Sequence, residues 1–238
     1  MVHQLIGISP EREVIYGEDR WKLLSKKRRR AKSVLNHLAS QGVVGYVYGS
    51  VARGDVREKS DVDVVVLNPP TPISLMDEIL SSFEQPIKRE IVQATPRSTP
   101  KYYIHLSEET VVSLPVGRLG EREAEFYKFG GMLDLNGLFK DDRVPGVNKE
   151  LKLIYPIDKG HLEYPVPGNE GLVAKVLGVS RGVVEERVRV LTKRRTIGTT
   201  GLYVDYVLQL DECVEDAIRR ISIMKKGFRE KVRDLINF

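Results

Sequence analysis

Two carboxylates two residues apart, Asp61 and Asp63, open a run of aliphatics, Val62, Val64, Val65, Val66 and Leu67. A β-branched run of this length reads as a strand, and a strand sends residues two apart to the same side. Both acids therefore face one way, where they repel each other unless something cationic compensates them. A strand that begins like this is an expensive way to build a core and a sensible way to hold a cation.

The residues before it fit that reading. VVGYVYG (43–49) is another strand-length run, and it ends in Gly49-Ser50. Glycine turns sharply and lets a phosphate approach the backbone without a Cβ in the way. The Ser50 hydroxyl and neighbouring amides would supply hydrogen bonds to a triphosphate. Asp61 and Asp63 are hard oxygen ligands of the kind Mg²⁺ takes while keeping waters and phosphate oxygens in its shell. Two such ions roughly 3.5–4 Å apart can clamp both the attacking and the leaving oxygen of an in-line displacement. Each piece alone is weak, since Gly-Ser is commonly a turn and Asp-x-Asp commonly turn chemistry. Their order between two strands is what carries the signal.

The whole string, GSVARGDVREKSDVDVVVL, resembles the DNA polymerase-beta-like nucleotidyltransferase superfamily, in particular its small prokaryotic and archaeal members. That pattern runs Gly-Ser, a short loop often reading Ala-Arg-Gly, then Ser-Asp-x-Asp and aliphatics, and the likeness covers roughly residues 20 to 115. It implies a mixed sheet flanked by helices, with Asp61 and Asp63 as catalytic metal ligands for two Mg²⁺ ions, Mn²⁺ being an alternative. It also implies a third acid on a later strand. IKREIVQAT (87–95) offers Glu90 as that acid, catalytic and metal-binding, with Glu108 and Glu109 as fallbacks. The family usually has aspartate there, and the competing reading is an exposed strand residue beside Lys88 and Arg89. Gly49, Ser50, Arg53 and Ser60 are the expected nucleotide contacts, with Arg53 equally readable as a loop residue.

Composition narrows the rest. One cysteine, Cys213, excludes an internal disulfide framework and a cysteine-based zinc site. No apolar stretch approaches the roughly 20 residues of a membrane span. The first residues lack the basic-then-apolar order of a secretory signal. The expectation is a cytoplasmic protein with no membrane partner. Lys and Arg number 38 against 33 Asp and Glu, and eight of the cations fall between Arg20 and Lys32 with no acid among them. Such a run can meet phosphate or simply be a solvated helix face. No Gly-x4-Gly-Lys-Ser/Thr or Gly-x-Gly-x-x-Gly loop occurs, and the four histidines lie far apart in sequence.

Periodicity places a helix over 18–40, a helix over 74–83, strands at KYYIHL and ETVVSLPV, and a strand-like LKLIYP. The proline-rich YPIDKGHLEYPVPGN (155–169) reads as a linker or extended edge. Beyond it, LVAKVLGVSRGVVEERVRVL has helix-turn-helix spacing: Ala174 where helices cross, Gly178 in the turn, Ser180 as N-cap, Val184 and Val188 inward. KRRTIGTTGLYVDYVL then suggests a β-hairpin wing. The long run from about Asp211 to Leu235 reads as helix.

The expected fold class is therefore α+β, a nucleotidyltransferase domain over 1–156 followed by a winged-helix-like domain over 157–238. Arg181, Arg189, Lys193, Arg194 and Arg195 would contact nucleic acid, although Glu185 and Glu186 oppose phosphate there. The alternative for this module is packing on the catalytic domain or forming a homodimer. The expected activity moves a nucleoside monophosphate from a nucleoside triphosphate, ATP in the first instance, to a hydroxyl acceptor with release of pyrophosphate, and a nucleic acid is one such acceptor. Two other readings remain: a nucleotide-sensing DNA-binding regulator without turnover, and an antitoxin that adenylylates a partner.

Overall fold

The computed structural model describes residues 8–198 and 201–236. They divide into two compact units that interleave along the chain. One comprises 1–32, 46–62 and 121–200; the other comprises 33–45, 63–120 and 201–238. The boundary expected at 156/157 falls inside a strand instead.

The second unit is a sheet with helices on it. Its strands are β3 (Val62–Val65, which enters the unit at Asp63), β4 (Lys88–Gln93), β5 (Lys101–Ser107), β6 (Thr110–Pro115) and β11 (Val204–Val207). They lie in the order β11-β4-β5-β6-β3. The β11–β4, β4–β5 and β5–β6 pairs are antiparallel, with Glu90 opposite Tyr103 and Tyr103 opposite Ser113. Alternation along β5 is strict: Tyr102, Ile104 and Leu106 are buried, while Lys101, Tyr103 and His105 are only half-buried. The buried side faces α3 (Ser74–Phe83), where Tyr102 donates its hydroxyl to Asp77 at 2.7 Å and Arg89 donates to the same carboxylate at 3.3 Å. The other side carries Glu90, Tyr103 and Ser113 in one row.

In this unit the proposed wing is replaced by a different arrangement. Val204–Val207 does not fold back as a hairpin; it adds to the sheet edge beside β4. Thr199 and Thr200, at the expected hairpin tip, lie outside the described residues. The run 211–235 is three helices, α8 (Val214–Met224), α9 (Lys226–Lys231) and α10 (Arg233–Ile236).

The first unit contains most of α1 (Glu18–Ser40), which passes out of it after Lys32, and the pair β2 (Tyr46–Tyr48) and β7 (Met132–Leu133). Short helices α2 (Ser50–Arg53) and α5 (Leu135–Phe139) belong here too. A four-stranded antiparallel sheet is built in the order β1 (Arg12–Ile15), β10 (Gly160–Pro165), β9 (Lys152–Ile157) and β8 (Gly146–Val147). The stretch read as a linker is thus the β9–β10 hairpin. β10 is a central strand with His161, Leu162 and Tyr164 buried, and its alternating apolar positions outweigh its flanking prolines.

The helix pair expected after it is present as α6 (Glu170–Leu177) and α7 (Arg181–Ile197), with Gly178 left-handed in the turn at φ 62°. Val173, Ala174, Val183, Val184 and Leu191 join Leu153, Leu162, Tyr164 and Phe129 in one buried cluster. The helix that precedes the pair in space is α4 (Glu121–Gly130). Ser180 donates from its amide and hydroxyl to Glu125, at 3.1 and 2.5 Å, and Arg187 lies over the Phe126 ring. Ser180 is the N-cap residue, but its hydroxyl holds α4 rather than closing its own helix. Among the described residues no helix is long and apolar enough to cross a membrane.

Candidate active site

The turn after β2 has the geometry its glycines require. Gly49 takes φ 79° and ψ −143°, a conformation that side chains resist, and its N–H donates to Gly131 O at 2.9 Å. Ser50 then opens α2, and Gly54 closes it left-handed at φ 95°, with its N–H on Ser50 O. Arg28 completes the turn from α1: its guanidinium donates to Val51 O and Ala52 O, both at 3.2 Å, and to Asp142 O at 2.6 Å. Burial lowers its pKa to about 10, against the pull of Asp141. One member of the basic run is therefore spent on the carbonyl end of α2, and Lys27 beside it is also buried.

Arg53, for which a phosphate contact and a loop role are both expected, is engaged within the loop. It is 6% exposed, with Nε and Nη2 paired to the two oxygens of Asp55 at 3.0 and 3.1 Å and Nη1 donating to Gly130 O at 2.5 Å. A guanidinium bound on three sides inside the protein braces the loop and is not offered to a phosphate. Ser60 also acts locally. Its Oγ accepts from the Arg57 amide at 2.9 Å while its own amide returns a bond to Arg57 O, closing the turn that delivers Asp61.

Asp61 stands immediately before β3 and is exposed; Asp63 is the second residue of β3 and half-buried. Val62 and Val64, which alternate with them, are buried. Within β3 the buried Val62 and Val64 thus alternate with the half-buried Asp63.

Glu90 is held elsewhere. Lys88 Nζ lies 2.5 Å from one of its oxygens and His105 Nε2 lies 2.8 Å from the other. Burial pushes its pKa up, but the hydrogen bonds and charges of Lys88 and His105 outweigh that and leave it lowered. Between Glu90 and Asp63 in charge terms lies Tyr103, whose hydroxyl is pushed up to about 12 by burial first, then by the negative charges of Asp63 and Glu90. The sequence reading missed both Tyr103 and His105. Their positions in β5 opposite Glu90 and Lys88 are the signal, and it needs the strand register to be seen.

Asp61 and Asp63 suit a hard divalent cation by donor type. Each Glu90 oxygen has one partner, Lys88 or His105, and keeps a further lone pair. Among the described residues no three His, Cys, Asp or Glu side chains gather in a group that could hold a metal ion. Glu108 and Glu109 sit in the exposed turn between β5 and β6.

The residues assigned to nucleic acid lie along α7. Arg181 is engaged by Glu185 at 2.6 Å and Arg195 donates to Lys149 O at 3.2 Å. Arg189, Lys193 and Arg194 are exposed.

A sheet with helices packed on it, a glycine-serine turn and a strand led by paired aspartates together fit the layout of a nucleotidyltransferase fold. Residues 28–114 match the family model described as nucleotidyltransferase domain, which supports the nucleotidyltransferase superfamily and a general nucleotidyl-transfer activity. No curated protein and no solved structure matches the chain.

Proposed function

We propose that the protein is a Mg²⁺-dependent enzyme that moves the nucleoside monophosphate of ATP onto a hydroxyl acceptor and releases pyrophosphate. The observation that carries this is the spacing of Asp61, exposed, and Asp63, half-buried, at the start of β3 after the Gly49-Ser50 turn. The family match supports the transferase class; the cation, nucleotide and acceptor are this reading's own. Asp61 and Asp63 would hold the divalent ions, which supply charge neutralisation on the phosphates and lower the pKa of the attacking hydroxyl. Gly49 leaves room for a phosphate and Ser50 offers a hydroxyl to it. Arg53–Asp55 and Arg28 keep this turn rigid, so that positioning costs little at the moment of transfer. Tyr103, still protonated at neutral pH, is a neutral donor next to Asp63's charge. Glu90 shapes that field without binding the ions.

The test is transfer of label from α-labelled ATP with Mg²⁺ to RNA, protein or small hydroxyl compounds, compared with the Asp61→Asn/Asp63→Asn variant. Label transfer that depends on both aspartates supports the proposal, and equal transfer by the variant overturns it. The exposed cations of α7 favour a second reading, a nucleotide-responsive DNA-binding regulator. Specific duplex binding that responds to ATP, with no turnover, would favour it.

A further inference from the structure

The three C-terminal helices form a basic groove that no part of the proposed reaction uses. From Arg219 to Arg233 the sequence holds seven Lys or Arg and one acid, Glu230. Four of these cations, Arg219 from α8, Lys226 and Arg229 from α9 and Arg233 from α10, line a single concavity of about 730 Å³. All four are exposed, and among the described residues only Arg219 of the four has a carboxylate in ion-pair range, Asp216 at 3.0 Å. Glu230 is the one acid on the described lining. Folding has therefore gathered like charges into a hollow, where their mutual repulsion is stronger than on a convex, well-solvated helix face.

Polarity on the rim narrows the choice of occupant. Ile223, which lines the groove, is 83% exposed, and its neighbour Met224 is 63% exposed. A partner that meets cations and apolar side chains within one cleft must offer anions and flat, weakly polar surfaces in alternation. A single-stranded nucleic acid does so, with phosphates along the basic groove and weakly polar base faces against Ile223 and Met224. A duplex hides its base faces, and its major groove alone is about 12 Å wide. The volume is that of a ligand cleft, which typically spans roughly 300–1,000 Å³, and it takes an extended strand rather than a double helix.

We infer that the groove lined by Arg219, Lys226, Arg229 and Arg233 binds single-stranded nucleic acid. This rests on the proposed function and deepens it by naming the class of acceptor, yet binding is measured without ATP or Mg²⁺, so failure of the transfer reaction and failure of the groove are read separately.

The experiment is fluorescence anisotropy of a labelled single-stranded oligonucleotide over a salt series. It compares the full chain with Lys226→Ala/Arg229→Ala/Arg233→Ala and with Lys128→Ala/Lys140→Ala/Lys159→Ala, three exposed lysines elsewhere on the surface. Three lost phosphate contacts at about 0.7 each should flatten the log–log salt slope by about 2 and weaken binding at least tenfold. The Lys128/Lys140/Lys159 variant should bind as the parent does. The charge-preserving set Lys226→Arg/Arg229→Lys/Arg233→Lys should restore the slope, which separates charge from any loss of fold. The inference is overturned by absence of single-strand binding in the parent, by an unchanged slope in the alanine variant, by tighter binding of a duplex of equal length, or by loss in the variant of anionic vesicle binding alone.

Discussion

At the scale of single residues, the loop between Gly49 and Asp61 divides into groups that build and groups that face outward. Arg53 and Asp55 are builders. Replacing Asp55 with alanine leaves a buried guanidinium without its counter-charge, and urea unfolding should show a loss of about 3–5 kcal/mol. ATP affinity measured on the remaining folded protein should change far less; a large loss of affinity at unchanged stability would return Arg53 to the phosphate. Glu90 gives a pH-dependent counterpart. Its folded-state pKa is depressed, so its contribution to stability is present above the unfolded value of about 4.3 and is lost as pH falls through the lower folded value. The melting temperature of Glu90→Gln should lie below that of the parent at pH 7, and the two should converge below about pH 4. Because Lys88 and His105 hold this carboxylate in its charged form, a gap that persists undiminished in strong acid would contradict the pairing described here.

Among the elements, β10 shows how tightly the small sheet is assembled. A Cβ added at Gly160 would fall on the carbonyl oxygen of Val14 in the partner strand β1. Backbone cannot yield as a side chain does, so Gly160→Ala should cost about 3 kcal/mol, at the upper end for overpacking. Loss of protection of the Val14 and Tyr16 amides in hydrogen exchange would locate the damage. The sequence showed some of these elements clearly and others not. Helix 74–83 and strands β4 to β6 were legible because each carries its own period and ends in its own stop signals. The 155–169 segment was not, since its prolines and glycines disguise alternation that only pairing with β9 and β1 makes stable. The wing failed for a related reason: Val204–Val207 has strand chemistry, but the partner that satisfies its backbone is β4, more than a hundred residues away. The aspartate pair was readable because spacing two is local geometry. The detention of Glu90 by His105 was not, because it depends on β-strand register across a hairpin.

At the scale of the whole molecule, the chain contains a region over residues 28–114 that matches a nucleotidyltransferase model, and adds to it the helix pair α6 and α7 and the helices α8 to α10. The interleaving of the two units means that neither a cut at 156/157 nor expression of 28–114 alone would retain the strands each core uses. In the proposed function, Asp61 and Asp63 together make nucleotidyl transfer possible. That role is tested most directly by single-turnover transfer from α-labelled ATP with Mg²⁺, in the parent, Asp61→Asn, Asp63→Asn and Glu90→Gln, with melting temperatures recorded for each. Each aspartate variant should keep its fold and lose at least about 10²–10³-fold in rate, while Glu90→Gln retains most of it. An aspartate variant that transfers label at the parent rate, or a Glu90→Gln variant as inactive as both, would contradict the account.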